Sequence, residues 1–202
     1  MAERLDGRQD DAITRAAAAL GRGELVVYPT ETVYGLGADA LDPAAIDRVF
    51  DAKHRDRDEP VSLAVPSAAA ARDYVTPSER EAEFMAAFLP GPVTVVLERK
   101  PIVPDVLTGG RATVGIRVPD HAVAQALLAE FAPITATSAN VSGRPSATRP
   151  EAVDPELEAA VAVILEAGRT GGAGSTVVDV ATDELLREGP EADAIRDWLA
   201  SH

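Results

Sequence analysis

Residues 28–40 read YPTETVYGLGADA. The stretch begins where ELVVYP (24–29) ends, and that β-branched, apolar run reads as a buried strand closed by Pro29. It brings together Thr30, Thr32, two tyrosines and two glycines, with one carboxylate before its last residues and neither His nor Cys. GLGADA lacks the third glycine of a dinucleotide-binding turn, so Gly35 and Gly37 read as backbone clearance rather than as a phosphate loop. Residues 52–60, AKHRDRDEP, then supply a short basic burst, Lys53 and Arg55, at the end of a helix.

Outward from this segment, strand and helix patterns interleave. Residues 8–21 read as a helix with Ile13, Ala16, Ala17 and Leu20 on one side, ending at Gly21 or Gly23. Asp42 reads as the N-cap of PAAIDRVFDAK, with Pro43 at its first position. VSLAV (61–65), VTVVLER (93–99), ATVGIRV (112–118), PITATSAN (133–140, running into a loop), VAVIL (161–165) and STVVDV (175–180) read as strands. Helices are expected over 67–73, 77–88 (with Ser78 and Glu81 at its start), from Asp120 to about Phe131, and over 190–200. There is no strict βαβ rhythm. The pattern predicts an α/β fold, a single domain over 1–202 with its core at about 8–190, built on a twisted mixed sheet with flanking helices. The Pro-rich loop at 143–155 is the one candidate for a hinge.

With 46% hydrophobic residues but 4% aromatic, the core must be made of Ala, Val, Leu and Ile. The absence of Cys excludes disulfides, thiolate catalysis and Cys–zinc sites, and fits a reducing compartment. No apolar run is long enough to span a bilayer and the N-terminus lacks a secretory apolar segment, so a cytoplasmic protein without membrane contact is expected. The net charge of −14 opposes general adhesion to nucleic acid or anionic membrane. The same excess of carboxylates with few lysines fits adaptation to high salt.

GRTGGAGST has no Lys before Ser175 and leads into a strand, so it is not a Walker loop; no Gly-x-Ser-x-Gly elbow exists; His54, His121 and His202 are too scattered for zinc. What remains is a set of polar residues at strand and helix ends: Thr30 and Thr32, Lys53 and Arg55, Thr113 and Arg117, Ser138 and Asn140, Ser175 and Thr176, and Arg187. Each alone reads as a cap, a turn or a dipole partner. As a set, hydroxyls, an amide and several cations suit a poly-oxyanion with an amino-acid-like companion.

The segments PTETVYGLGADA, AKHRDRDEP, PGPVTVVL, VGIRVPDH, TSANVSGRPSAT and GSTVVD…LLREG occur in the order found in the YrdC-type family, the threonylcarbamoyl-AMP synthases, which the chain resembles from about residue 8 to 190. The resemblance implies a YrdC-like α/β twist with a concave, positive surface. It implies ATP, L-threonine and bicarbonate or CO2 as substrates, Mg²⁺ arriving with ATP, and threonylcarbamoyl-AMP and pyrophosphate as products. A downstream tRNA threonylcarbamoyltransferase complex would use the product; tRNA contact is not required for this step. Carried over by motif, Lys53 and Arg55 would hold phosphates and the carbamate as the catalytic pair. Ser138 and Asn140, with Thr113, Ser146 and Arg187, would contact the nucleotide. Thr32, Arg117 and Ser175 would hold L-threonine, with Arg117 on its carboxylate. No protein metal ligand is implied. Two departures stand out: Asp56 replaces the family's Pro after Lys-x-Arg, and Ala64 stands where a pocket His is usual. An RNA-binding module or a paralogue without synthase activity are the competing readings.

Overall fold

A computed structural model describes residues 2–202. The strands are β1 (Glu3–Asp6), β2 (Val26–Pro29), β3 (Tyr34–Gly37), β4 (Ser62–Ala64), β5 (Val93–Glu98), β6 (Thr113–Arg117), β7 (Ile134–Ser138), β8 (Val163–Glu166), β9 (Thr176–Asp179) and β10 (Glu184–Arg187). The helices are α1 (Asp10–Gly21), α2 (Pro43–Lys53), α3 (Ala68–Ala71), α4 (Glu79–Phe88), α5 (Asp105–Thr108), α6 (Ala122–Glu130), α7 (Pro155–Ala160) and α8 (Ala192–Ser201). The strands form one sheet in the order β1-β8-β2-β3-β7-β4-β6-β5-β9-β10. Pairs β1–β8, β2–β8, β4–β6 and β5–β9 are parallel and the other neighbours antiparallel, so the sheet is mixed, as expected.

The opening segment settles how the sheet is built. YGLG is a strand, and its glycines give the backbone clearance read for them. It pairs with β2 so that Tyr28 lies opposite Gly35. A Cβ on Gly35 would stand 2.8 Å from the Tyr28 ring, and one on Gly37 would stand 3.1 Å from it. The glycines clear room for a buried aromatic ring in the neighbouring strand, which outweighs their poor strand propensity. Every residue of β2 and β3 is buried. The turn between them, residues 30–33, is thereby held at the sheet's centre.

Aliphatic clusters pack both faces. One gathers Phe50, Leu63, Phe84, Val95, Leu97 and Ile116; another Ile13, Leu20, Leu127, Ile134 and Leu165; a third Val27, Leu36, Val49, Leu157 and Ile164. α2 begins as its sequence predicts, with Asp42 Oδ1 accepting from the Ala44 N–H at 2.9 Å and Pro43 at the first position, a cap worth about 1 kcal/mol. α4 has the expected capping box between Ser78 and Glu81. α6 is capped by His121 rather than Asp120. Besides β3, four elements were not expected from the sequence: β1 and β10, the short edge strands; α5, a single turn; and α7, which Asp154 caps within the Pro-rich stretch read as a loop.

Candidate active site

Strand register brings the polar set together. Across four neighbouring strands Arg117 faces Thr94, Thr94 faces Val177, and Val177 faces Arg187. Strands lie about 4.8 Å apart, so Arg117 and Arg187 stand about 14 Å apart at the backbone with Thr94 between them. The next row of the same face is Gly115, Val96 and Asp179. Above these rows opens a cleft of about 450 Å³, walled by the 30–33 turn, Arg55, the 136–138 strand end and Gly174–Ser175. That volume suits a cofactor-sized ligand.

Of the ten residues that the family motifs carry over to the site, eight line this cleft: Thr32, Arg55, Thr113, Arg117, Ser138, Ser146, Ser175 and Arg187. Lys53 and Asn140 do not. α2 ends at Lys53 without fraying. His54 takes a left-handed conformation (φ 50°) that turns the chain and sends Arg55 to the cleft wall. Lys53 is 1% exposed, and its Nζ donates to the carbonyls of Ser138 at 2.5 Å and Asn140 at 2.7 Å. Its backbone carbonyl accepts from the Ser142 N–H. Burial, with a smaller contribution from Arg55, lowers its pKa from 10.5 to about 8. Asn140 is turned inward, its amide donating to the carbonyls of Val141 and Arg144 while its Oδ1 accepts from the Ser138 hydroxyl. Lys53 and Asn140 thus fasten the loop that presents Ser138.

The cations of the cleft differ in their partners. Arg117 is 5% exposed, and its NH2 donates to Glu31 Oε1 at 2.7 Å. Burial pushes this guanidinium down from its ordinary value and Glu31 pulls it back. A ligand carboxylate would meet Arg117 only beside or in place of Glu31. Among the described residues Arg187 has no carboxylate partner; it donates to the carbonyl and hydroxyl of Ser175 at 2.9 and 2.8 Å. Its pKa is lowered by burial and then by Arg117 and Arg55, the repulsion that a bound polyanion would relieve. Arg55 donates to the carbonyls of Glu59 and Pro60, and Glu59 Oε2 lies 3.5 Å from its Nε at the exposed rim.

Thr30, read with Thr32 as a polar strand end, also lines the cleft, and several lining residues went unread in the sequence: Thr94, Arg111, Asp179 and Leu186. Thr94, the lone hydroxyl in the apolar run VTVVL, hydrogen-bonds Ser175 at 2.9 Å; that isolated hydroxyl was the available signal. Asp179 is the one carboxylate lining the cleft among the described residues. Ala64, in place of the family's His, is buried in an aliphatic cluster with Val26 and Ile134, outside the cleft wall.

The profile of the Sua5/YciO/YrdC family, described as "Telomere recombination", matches residues 18–189. The chain belongs to this family. It is 43% identical over 187 residues to the threonylcarbamoyl-AMP synthase of Bacillus subtilis, covering 89% of this chain and 54% of that protein. Among solved structures, Pyrococcus abyssi Sua5 in complex with L-threonine superposes with a TM-score of 0.88 at 38% identity, over 96% of this chain and 60% of that one. Escherichia coli YciO superposes with a TM-score of 0.86 at 28% identity, over 94% and 96% of the two chains. The chain thus spans about half the length of the Bacillus and Pyrococcus synthases. These likenesses agree with the mixed sheet and flanking helices described above. The two departures from the Sua5/YciO/YrdC pattern, Asp56 and Ala64, both fall outside the cleft wall.

Proposed function

We propose that the protein is an L-threonylcarbamoyladenylate synthase. The observation that carries the reading is one cleft in which Arg55, Arg117 and Arg187 converge with the hydroxyls of Thr32, Thr94, Ser138 and Ser175, in a chain whose net charge is −14. A local concentration of cations against so acidic a background is a site for anions. The cleft offers no nucleophile paired with a base, so the attacking groups must come from the substrates.

The reaction needs such a cleft. The threonine amine attacks CO2 and loses a proton to give a carbamate; a carbamate oxygen then attacks the α-phosphorus of ATP, and pyrophosphate leaves with the electron pair of the broken P–O bond. The barrier lies in bringing anions together in line and in charge developing on phosphate oxygens, both of which fixed cations and hydroxyl donors lower. Arg55 and Arg187, free of buried carboxylate partners among the described residues, are the groups to hold the phosphates; Ser138, on its fastened loop with its proton given to Asn140, is placed to accept from the nucleotide. Magnesium would enter on the triphosphate and neutralise part of its charge. No group of three or more His, Cys, Asp or Glu able to hold a metal occurs among the described residues. The product would pass to a tRNA threonylcarbamoyltransferase complex. No described helix is long and apolar enough to cross a membrane.

The test is pyrophosphate release from ATP, Mg²⁺, bicarbonate and L-threonine. The proposal expects release that requires threonine. Release unaffected by leaving threonine out, or none at all, rejects it.

A further inference from the structure

The hydrogen bonds around Thr32 fix the direction of its hydroxyl. Thr30 Oγ1 lies 2.6 Å from the Val33 carbonyl, which can only accept, so the single hydroxyl proton of Thr30 is committed there. The adjacent backbone N–H groups of Thr32 and Val33 converge on one side of the same oxygen at 3.2 and 3.3 Å and share one of its two lone pairs, leaving the other for the shorter contact. In the 2.8 Å contact between Thr30 and Thr32 the donor must therefore be Thr32. On its other side Thr32 Oγ1 accepts from Arg117 NH2 at 3.4 Å, and that nitrogen is held by Glu31 Oε1 at 2.7 Å. Thr32 lines the cleft. With its proton spent and one lone pair engaged, it has a single lone pair left to offer.

We infer that Thr32 meets the amino acid as a hydrogen-bond acceptor, and that Thr30 and Glu31 are positioning residues that wire it so. This rests on the synthase reading and deepens it. The group against Thr32 is then an N–H or O–H donor of the substrate, its ammonium or its β-hydroxyl, and not its carboxylate. The charge balance agrees: Glu31 already neutralises Arg117, so this end of the cleft holds no surplus cation for a carboxylate to seek. A buried acceptor left without its donor is costly, which gives the site a means of rejecting analogues that lack the group.

The test is a cycle of binding measurements by calorimetry. Wild type and Thr32→Val are each titrated with L-threonine, L-2-aminobutyrate (no β-hydroxyl), 3-hydroxybutyrate (no α-ammonium and no donor in its place) and L-threoninamide (no carboxylate). The expected result is about a tenfold loss when Thr32→Val meets L-threonine. That loss should vanish for one of the first two analogues and persist for the amide. Disappearance for the amide instead, or an undiminished loss with all three, overturns the inference. The wiring is checked with Thr30→Ser, expected to bind L-threonine within twofold of wild type, against Thr30→Val, expected to lose about tenfold while ATP affinity holds. Equal affinity in the two variants, or parallel loss of ATP and threonine binding, removes Thr30 from the positioning role. Wild type that binds no L-threonine overturns the synthase reading itself; wild type that binds it without the coupling overturns this inference alone.

Discussion

The two ends of the cleft are built on opposite electrostatic plans. At the Thr32 end, a buried guanidinium is matched by a carboxylate, and the hydroxyls are tied to one another and to the backbone. At the Arg55–Arg187 end, the cations rest on carbonyls and a hydroxyl, with Glu59 at the exposed rim and Asp179 one row along the sheet, its Oδ1 accepting from backbone N–H groups. A charge-balanced, pre-wired pocket suits a zwitterion of fixed shape. An unbalanced one suits a polyanion that brings its own charge and leaves as another polyanion.

The largest expected effect breaks the balanced end. Glu31→Ala leaves Arg117 buried without its counter-charge, and unfolding experiments should show a loss of about 3 kcal/mol. A change under about 0.5 kcal/mol would mean that the pair is not the balance described. Next comes the unbalanced end: Arg55→Ala should lower threonine-dependent pyrophosphate release at least a hundredfold, about 2.7 kcal/mol of transition-state stabilisation, with little change in melting temperature. Gly35→Ala tests the strand packing that holds the 30–33 turn, since its Cβ would press on the Tyr28 ring at 2.8 Å; a loss of about 2 kcal/mol by denaturant unfolding is expected.

The smallest effect is a pH dependence. Lys53 has a folded pKa of about 8, below its ordinary 10.5, so the unfolded chain binds more protons between those values. The unfavourable contribution of its burial is full below about pH 8 and fades as pH rises toward 10.5. Wild-type stability should therefore gain on that of Lys53→Met across this window and run parallel to it below. Parallel curves throughout would show that Lys53 titrates normally.

How much of this was legible in the sequence follows from what each residue's neighbours allow. Arg117, Ser175 and Arg187, each of which alone reads as a cap, a turn or a dipole partner, could be chosen because the resemblance to the family carries them as a set, and the strand register then brings Arg117 and Arg187 to one face. Lys53 could not be separated from Arg55 by motif alone, yet the signal was present: Ile46, Val49, Phe50 and Lys53 fall on one helical face, and all four are buried. β3 was hidden because its two glycines serve a ring in the neighbouring strand, a relation no local window contains. Glu31 escaped notice because its partner lies 86 residues away. Thr30 was visible as a polar strand end, but the commitment of its proton depends on the turn's geometry.

The division of the cleft is tested most directly by titrating the Arg55→Ala protein separately with ATP and with L-threonine. The account predicts that affinity for ATP falls at least tenfold while affinity for L-threonine stays within twofold of wild type. Equal losses for both ligands would contradict it, because the two ends would then be one site.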